Sequence, residues 1–476
     1  MNEALYLKFI FIFLLMICSN NYIILPFKTT NFPFHEPRNN MSNIENFLSQ
    51  INNNQLYTSI SLGNPAKNID FYLSMEQLGF SVLTNNCKKG SNSSYSPNLS
   101  NTFKNITPHN YSMGLISKAC LSTDKFSFYN NIDLSKNISL NDLKFLLGNN
   151  SMPSNEYIDY DKFCGIIGNM RDSYNQFLKD NNFIYYLKRN KIINSYTFGI
   201  YYFDKDNSFK IGKEILSKYD GFYIAGISND SYSEIFKTDK IENSYAFSSL
   251  YWSLSFNKIY FNDSEVEYDC GNNTSVDFLI DMNYITSTRA YYENIKKYFF
   301  KIFLEDQTCV EEETYSVYEE NIYMIICNSN FKKKISSFPK IYFFNDRFPF
   351  IFNLDYNDVF IEYNNKIYFL IVFKKAINTI WRMGKIFLKK YPLIFDYDQN
   401  KISFVHLNKF GGLPLEDKKS NKKTSNYKIY IVIFLLILAI ILGVYIGKYI
   451  WIKKRKIRAN ELDDNYEYEE KFKINE

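Results

Sequence analysis

Between residues 55 and 405 the chain is a succession of short runs rich in Ile, Tyr, Phe, Val and Ser, broken every few residues by Asn, Gly or Asp. Short apolar or alternating runs bounded by turn-forming residues are the pattern of β-strands. The clearest of them predict strands at 56–62, 69–73, 125–129, 196–203, 251–261, 341–344 and 401–406. Helical spacing of apolar residues is confined to 171–189 and 289–304, and the second is the more regular. The pattern predicts a mainly β protein with a minor helical content.

Two apolar segments lie outside this region and differ from it in length. The first, residues 9–18, is followed by Ser19-Asn20-Asn21 and has the layout of a signal-peptide core, which predicts removal of 1–20. The second is uncharged over 429–447 and resumes its apolar character after Lys448, so 429–452 satisfies the ~20 residues that one transmembrane helix requires. Lys422, Lys423 and Lys428 precede it, and the denser cluster Lys453, Lys454, Arg455, Lys456 and Arg458 follows it. The denser cluster belongs on the cytoplasmic side, so the expected protein is type I, with a short cytoplasmic tail at 453–476. Residues 21–54 read as a polar, Asn-rich lead-in or prosegment, and 408–428 as a tether to the membrane.

Composition changes this picture little. Of the residues, 46% are hydrophobic and 18% aromatic, enough to fill sizeable cores, and the net charge is only +5. Outside the C-terminal end no long basic stretch is interleaved with aromatics, so nucleic acid is not an expected partner. With Cys18 in the signal segment, Cys87, Cys120, Cys164, Cys270, Cys309 and Cys327 remain for an oxidising lumen, with Cys309–Cys327 the best single pairing. Sequons at Asn92, Asn98, Asn105, Asn110 and Asn137 are candidate glycan sites. No Cys-X-X-Cys, His-Glu-X-X-His or Gly-rich phosphate loop is present, so neither a metal nor a cofactor is implied.

Several segments stand in an order that carries more information than any one of them. Leu56-Tyr57-Thr58-Ser59-Ile60-Ser61-Leu62-Gly63-Asn64-Pro65 is a strand leading into a turn in which Gly supplies backbone freedom and Pro a fixed φ. Tyr95 to Phe103, Asp124-Lys125-Phe126, Phe163-Cys164-Gly165-Ile166-Ile167-Gly168, Phe198-Gly199-Ile200, Trp252 and Trp381-Arg382-Met383-Gly384-Lys385-Ile386-Phe387-Leu388 follow in turn. Over 56–407 this series resembles the pepsin-like aspartic proteases, plasmepsins included. Cys164 and Lys385 stand where that family has aspartate. The resemblance implies a bilobal fold, with an N-terminal lobe at 55–205, a C-terminal lobe at 206–407, and a flap hairpin over the cleft on which Tyr111 is the flap tyrosine.

Catalysis in that family needs two carboxylates that share one proton, each carried on an Asp-Thr-Gly loop. The family's spacing from Gly63 puts the first at Ser74, followed by Met75-Glu76-Gln77, so this aspartate is lost. The second falls on Asp281, at the end of Phe278-Leu279-Ile280, but Met282-Asn283-Tyr284 replaces the rest of its loop. Only His35, His109 and His406 are available to activate a serine, and none has a triad arrangement with Ser74. The expectation is a catalytically impaired homologue that binds an extended peptide or a protein partner in its lumenal cleft. The alternative is an active membrane-anchored endopeptidase in which Glu76 or Asp70 pairs with Asp281.

Overall fold

Alternation along the strand Leu56–Leu62 sets the first packing face, because Leu56, Thr58, Ile60 and Leu62 point inward while Ser59 is exposed. Gly63, at φ 88°, turns the chain into Lys67–Ser74, which pairs antiparallel with it from Tyr57↔Tyr72 to Leu62↔Lys67. A side chain at that φ is strained, which is why glycine is required at this turn. In the computed structural model the described residues are 22–29, 44, 47–48, 51, 55–77, 79–83, 95–107, 111–113, 116–129, 137–150, 164–171, 181–203, 219–227, 241–245, 251–256, 258–261, 267–269, 275–314, 321–344, 351–374, 380–405 and 451. Among them the strands form sheets of 14, 9 and 4 members, so the protein is mainly β.

One arrangement occurs twice. Lys67–Ser74 runs into a loop and then into Phe80–Leu83, and Gly165–Gly168 inserts between the two, parallel to the first and antiparallel to the second. Likewise Ser275–Phe278 leads through a loop to Ile285–Ser287, and Trp381–Met383 inserts between them with the same two senses. Each inserted strand ends on a glycine that lies against the loop. A Cβ on Gly168 would sit 2.5 Å from the Gln77 carbonyl oxygen, and one on Gly384 would sit 2.3 Å from that of Tyr284. These loops carry Ser74 and Asp281.

The segment expected to be a polar lead-in is in part structural, and this corrects the reading of 21–54. Ile23–Thr29 is a strand between two others, pairing with Gly221–Ala225 on one side and Leu56–Leu62 on the other. Ile23, Leu25 and Phe27 are buried in the core, and so are Ile44, Phe47, Leu48 and Ile51. The spacing of those last four is that of one helix face, and the described residues there are helical. Phe47 stacks on Tyr368 with ring centroids 3.7 Å apart. An Asn-rich average hid an apolar stripe.

The helix expected at 171–189 is described at Phe183–Arg189, where the Asn182 side chain caps the N-terminus. That expected at 289–304 comprises Arg289–Ile295, a π-helical turn Lys296–Phe300, and Lys301–Glu305. The expected strand 251–261 is two strands, Ser253–Ser255 and Lys258–Phe261. Phe198, Tyr223, Trp252, Phe395 and Tyr397 form one aromatic cluster in the core. Trp252 Nε1 donates to the Asn169 carbonyl at 2.9 Å, which fixes this cluster to the residue after Gly168.

Cys309 and Cys327 lie directly opposite on adjacent antiparallel strands and are disulfide-bonded. The bond closes a loop over a sequence separation of 18. Replacing both cysteines with Ala is expected to lower the unfolding free energy by about 3 kcal/mol through the entropy regained by the unfolded chain. Calorimetry of the double variant beside the parent reads this as a fall in Tm. Residues Met1–Pro414 form one compact unit, and Leu415–Glu476 a second. The signal segment 1–20, the lobe boundary at 205–206 and the tether lie outside the described residues, as does 429–452 apart from Trp451. Among the described residues no helix is long and apolar enough to cross a membrane.

Candidate functional site

Three of the sequence landmarks meet near the first turn. Asp124 is fully buried and accepts hydrogen bonds from Tyr95 Oη at 2.5 Å, Ser100 Oγ at 3.0 Å and the Thr102 hydroxyl. Ser100 Oγ also accepts from the Asn64 N–H at 3.0 Å, and the Gly63 N–H donates to the Lys125 carbonyl at 2.8 Å. A buried carboxylate with this many donors is a structural tie. It holds the 95–103 segment against the base of the long strand Ile116–Tyr129. The partner strand Tyr111–Met113 pairs with that strand, with Tyr111 opposite Ala119. Tyr111 is therefore on a hairpin, and its side chain lies outside the described part of the structure.

The loops at Ser74 and Asp281, the positions expected to be catalytic, lie side by side. Ser74 is fully buried at the end of its strand, and its hydroxyl accepts from the N–H groups of Glu76 and Gln77, each at 3.1 Å. The same hydroxyl lies close enough to Asp281 to favour its charged form, after the stronger effects of Tyr72 and the Met75 N–H. Asp281 is 2% exposed. Its Oδ1 accepts from Tyr72 Oη, and its Oδ2 accepts from the Met75 N–H at 2.9 Å. The structure thus brings Ser74 and Asp281 together, and both oxygens of Asp281 receive donors from the strand and loop around Ser74. Met75 and Met282, where the resemblance has hydroxyl-bearing residues, are buried and apolar.

A lysine completes the cluster. Lys385 follows Gly384, is 1% exposed, and has its backbone N–H bonded to the Met282 carbonyl at 2.8 Å. Its Nζ reaches Gln55 Oε1 at 3.5 Å, and Gln55 Nε2 in turn reaches the Asp281 carbonyl oxygen at 3.5 Å. Burial drives Lys385 down from 10.5 to about 7, helped by the charge of Lys389 and opposed by Asp281. Burial likewise raises the Asp281 carboxyl above its ordinary range, against the hydrogen bonds from Tyr72, Met75 and Ser74 and the charge of Lys385. Acid and base are displaced toward each other, as expected of charges held away from water.

The carboxylates weighed as partners for Asp281 are engaged elsewhere. Asp70 accepts from Ser59 Oγ on an exposed face of the sheet. Glu76 exerts its charge on Tyr251, whose hydroxyl it shifts upward after the larger effect of burial. The groups that set the ionisation of Asp281 are two hydroxyls, a backbone N–H and a lysine. Such a carboxylate can tie two loops together. General-base attack on a peptide needs, in addition, a water against the carboxylate and a second acid to protonate the substrate.

Cys164, one of the cysteines expected in an oxidising lumen, is fully buried and disulfide-bonded. Among the described residues Cys120 carries a free thiol, and no group of His, Cys, Asp and Glu has the arrangement of a metal site. Sequence reasoning missed Tyr72, Gln55 and the role of Lys385. Tyr72 had a legible signal, since it lies two residues before Ser74 on the same strand and so on the same face. Lys385 had another, as a charge reversal inside an otherwise well-matched segment. Gln55 had none. No protein-family model matches this chain, and no curated protein matches it in sequence.

Proposed function

We propose that the lumenal part is a bilobal scaffold related to the pepsin-like aspartic proteases that binds an extended peptide or protein segment without hydrolysing it. The observation that carries this reading is the state of Asp281: buried, with both oxygens taken by Tyr72 and Met75, and facing a serine hydroxyl where catalysis needs a second carboxylate. The doubled arrangement of inserted strand, loop and glycine supports the bilobal reading. The hairpin bearing Tyr111 supports peptide binding, because an extended ligand is held there by main-chain hydrogen bonds that need no catalytic pair. The disulfides support an oxidising compartment, and the apolar run 429–452 supports a type I membrane anchor.

The test is incubation of the purified protein with a diverse peptide library at acidic and neutral pH, beside Asp281→Asn. Asparagine keeps an acceptor for the Met75 N–H and offers its amide to the Tyr72 hydroxyl, so the variant keeps its fold. The expected result is no cleavage by either protein, together with retention of some library peptides by both. Cleavage by the parent that vanishes in Asp281→Asn would sink the proposal.

A further inference from the structure

The structure contains a cavity of about 760 Å³ beside the Asp281 cluster, and its chemistry is unlike that of the two loops. The helix Lys385–Lys390 forms one wall with Lys385, Lys389 and Lys390, and Tyr202 and Asp220 stand in another. Its lining carries three lysines and three aspartates, and the charge of Asp220 acts on Lys389. Lys390 pairs with Asp358 at 2.6 Å and with Asp355 at 3.7 Å, and Asp220 Oδ2 accepts from the Thr29 N–H at 2.5 Å. Charge in the lining is balanced, and what remains over is hydrogen-bonding capacity on the donor side.

Two observations identify that surplus. Tyr202 is 8% exposed and lines the cavity, yet among the described residues its hydroxyl has no hydrogen-bond partner. A buried hydroxyl without a partner is rare in folded proteins, and a polar cavity beside it is where a missing acceptor would sit. Lys389 is exposed at the rim of the same cavity, and its Nζ lies over the Tyr202 ring, 5.8 Å from the centroid. Among the described residues that ammonium has no acceptor within hydrogen-bond distance. Donor and cation converge on one space.

We propose that this cavity is a binding site for a small anionic molecule, whose phosphate or carboxylate group is held by the Lys389 ammonium and the Tyr202 hydroxyl, with Lys385 on the inner wall. The site is independent of whether the protein binds or cleaves peptides. It touches the Asp281 cluster through Lys385, so an occupant would favour the charged form of that lysine and, through it, the carboxylate of Asp281. This gives the cavity a route to influence the loops.

The test is titration of the full chain with inorganic phosphate and, separately, with citrate, at constant ionic strength set with chloride, followed by calorimetry. Binding by either anion is expected, and the arm that binds identifies the group recognised. Lys389→Gln is expected to weaken it about tenfold or more, the loss of one charge-assisted hydrogen bond. Tyr202→Phe is expected to weaken it severalfold without lowering Tm, since the hydroxyl it removes has no partner among the described residues. Lys332→Gln, on an exposed surface pair with Glu362, is expected to leave binding unchanged. Absence of binding by both anions, or binding that survives both cavity substitutions, would overturn the proposal.

Discussion

Asp281→Ala is expected to remove about 3 kcal/mol or more of folding stability, because it leaves several buried donors without their acceptor. The substitution strips the Tyr72 hydroxyl, the Ser74 hydroxyl and the Met75 N–H of their common acceptor, and leaves Lys385 without its counter-charge. Each buried donor left unmade costs about 1–3 kcal/mol, but the sum overshoots, because hydroxyls rotate to new acceptors and Lys385 escapes by releasing its proton. Asp281→Asn, which keeps one acceptor and supplies one donor, is expected to lose about 1 kcal/mol, the scale of a single hydrogen bond. Urea unfolding followed by the fluorescence of the buried Trp252 and Trp381 measures both, with an unchanged slope as the sign that stability alone has moved. Equal, small losses in the two variants would mean that Asp281 does not tie the loops. The contrast matters for function, since a carboxylate kept for chemistry is usually a burden on stability and this one is read as a support.

Much of the fold was legible because strand patterning is a local property. Residues 56–62 and 341–344 are strands at their predicted bounds, since each is a short β-branched or aromatic run closed by turn residues. The split of 251–261 had one signal, Asn257 between the two strands, which the aromatic and apolar residues on either side outweighed. Ile23–Thr29 was hidden by its neighbours. It carries Pro26 and stands between a signal-like segment and an Asn-rich stretch, while its reasons for being a strand, Gly221–Ala225 and Leu56–Leu62, are remote in sequence. The same divide runs through the site. That Ser74 and Asp281 would fall at corresponding positions was implied by the resemblance. That the Asp281 oxygens are filled by Tyr72 and Met75 depends on how two loops more than 200 residues apart meet, with sequence separations of 209 and 206. Met75 and Met282 are buried beside these contacts, and no spacing rule announces the meeting of the two loops.

The stability of the parent relative to Lys385→Met should rise with pH across the alkaline range. In the folded protein Lys385 titrates at about 7, below its value of 10.5 in the unfolded chain. Between those limits the unfolded state binds the extra proton, so raising the pH removes a penalty on the folded state. That contribution is fully present above the unfolded value and is lost as pH falls toward 7. The interval corresponds to about 5 kcal/mol between the two protonation states, an upper figure for a lysine that also feels Asp281 and Lys389. Asp281 acts in the opposite sense and in a different window. Its carboxyl is raised, so its contribution is greatest below 3.8 and is lost as pH rises through the folded value. The two groups therefore push stability in opposite directions as pH rises. Methionine matches the length of the lysine stem and carries no proton, so the parent-minus-variant difference in unfolding free energy isolates the lysine from the other titrating groups. Measured at about pH 6, 8 and 10, that difference should climb in favour of the parent as pH rises. A flat difference would mean that Lys385 keeps an ordinary ammonium and has access to water. In that case the loops around Asp281 would be open to solvent, and the burial on which the non-hydrolytic reading rests would fail with them.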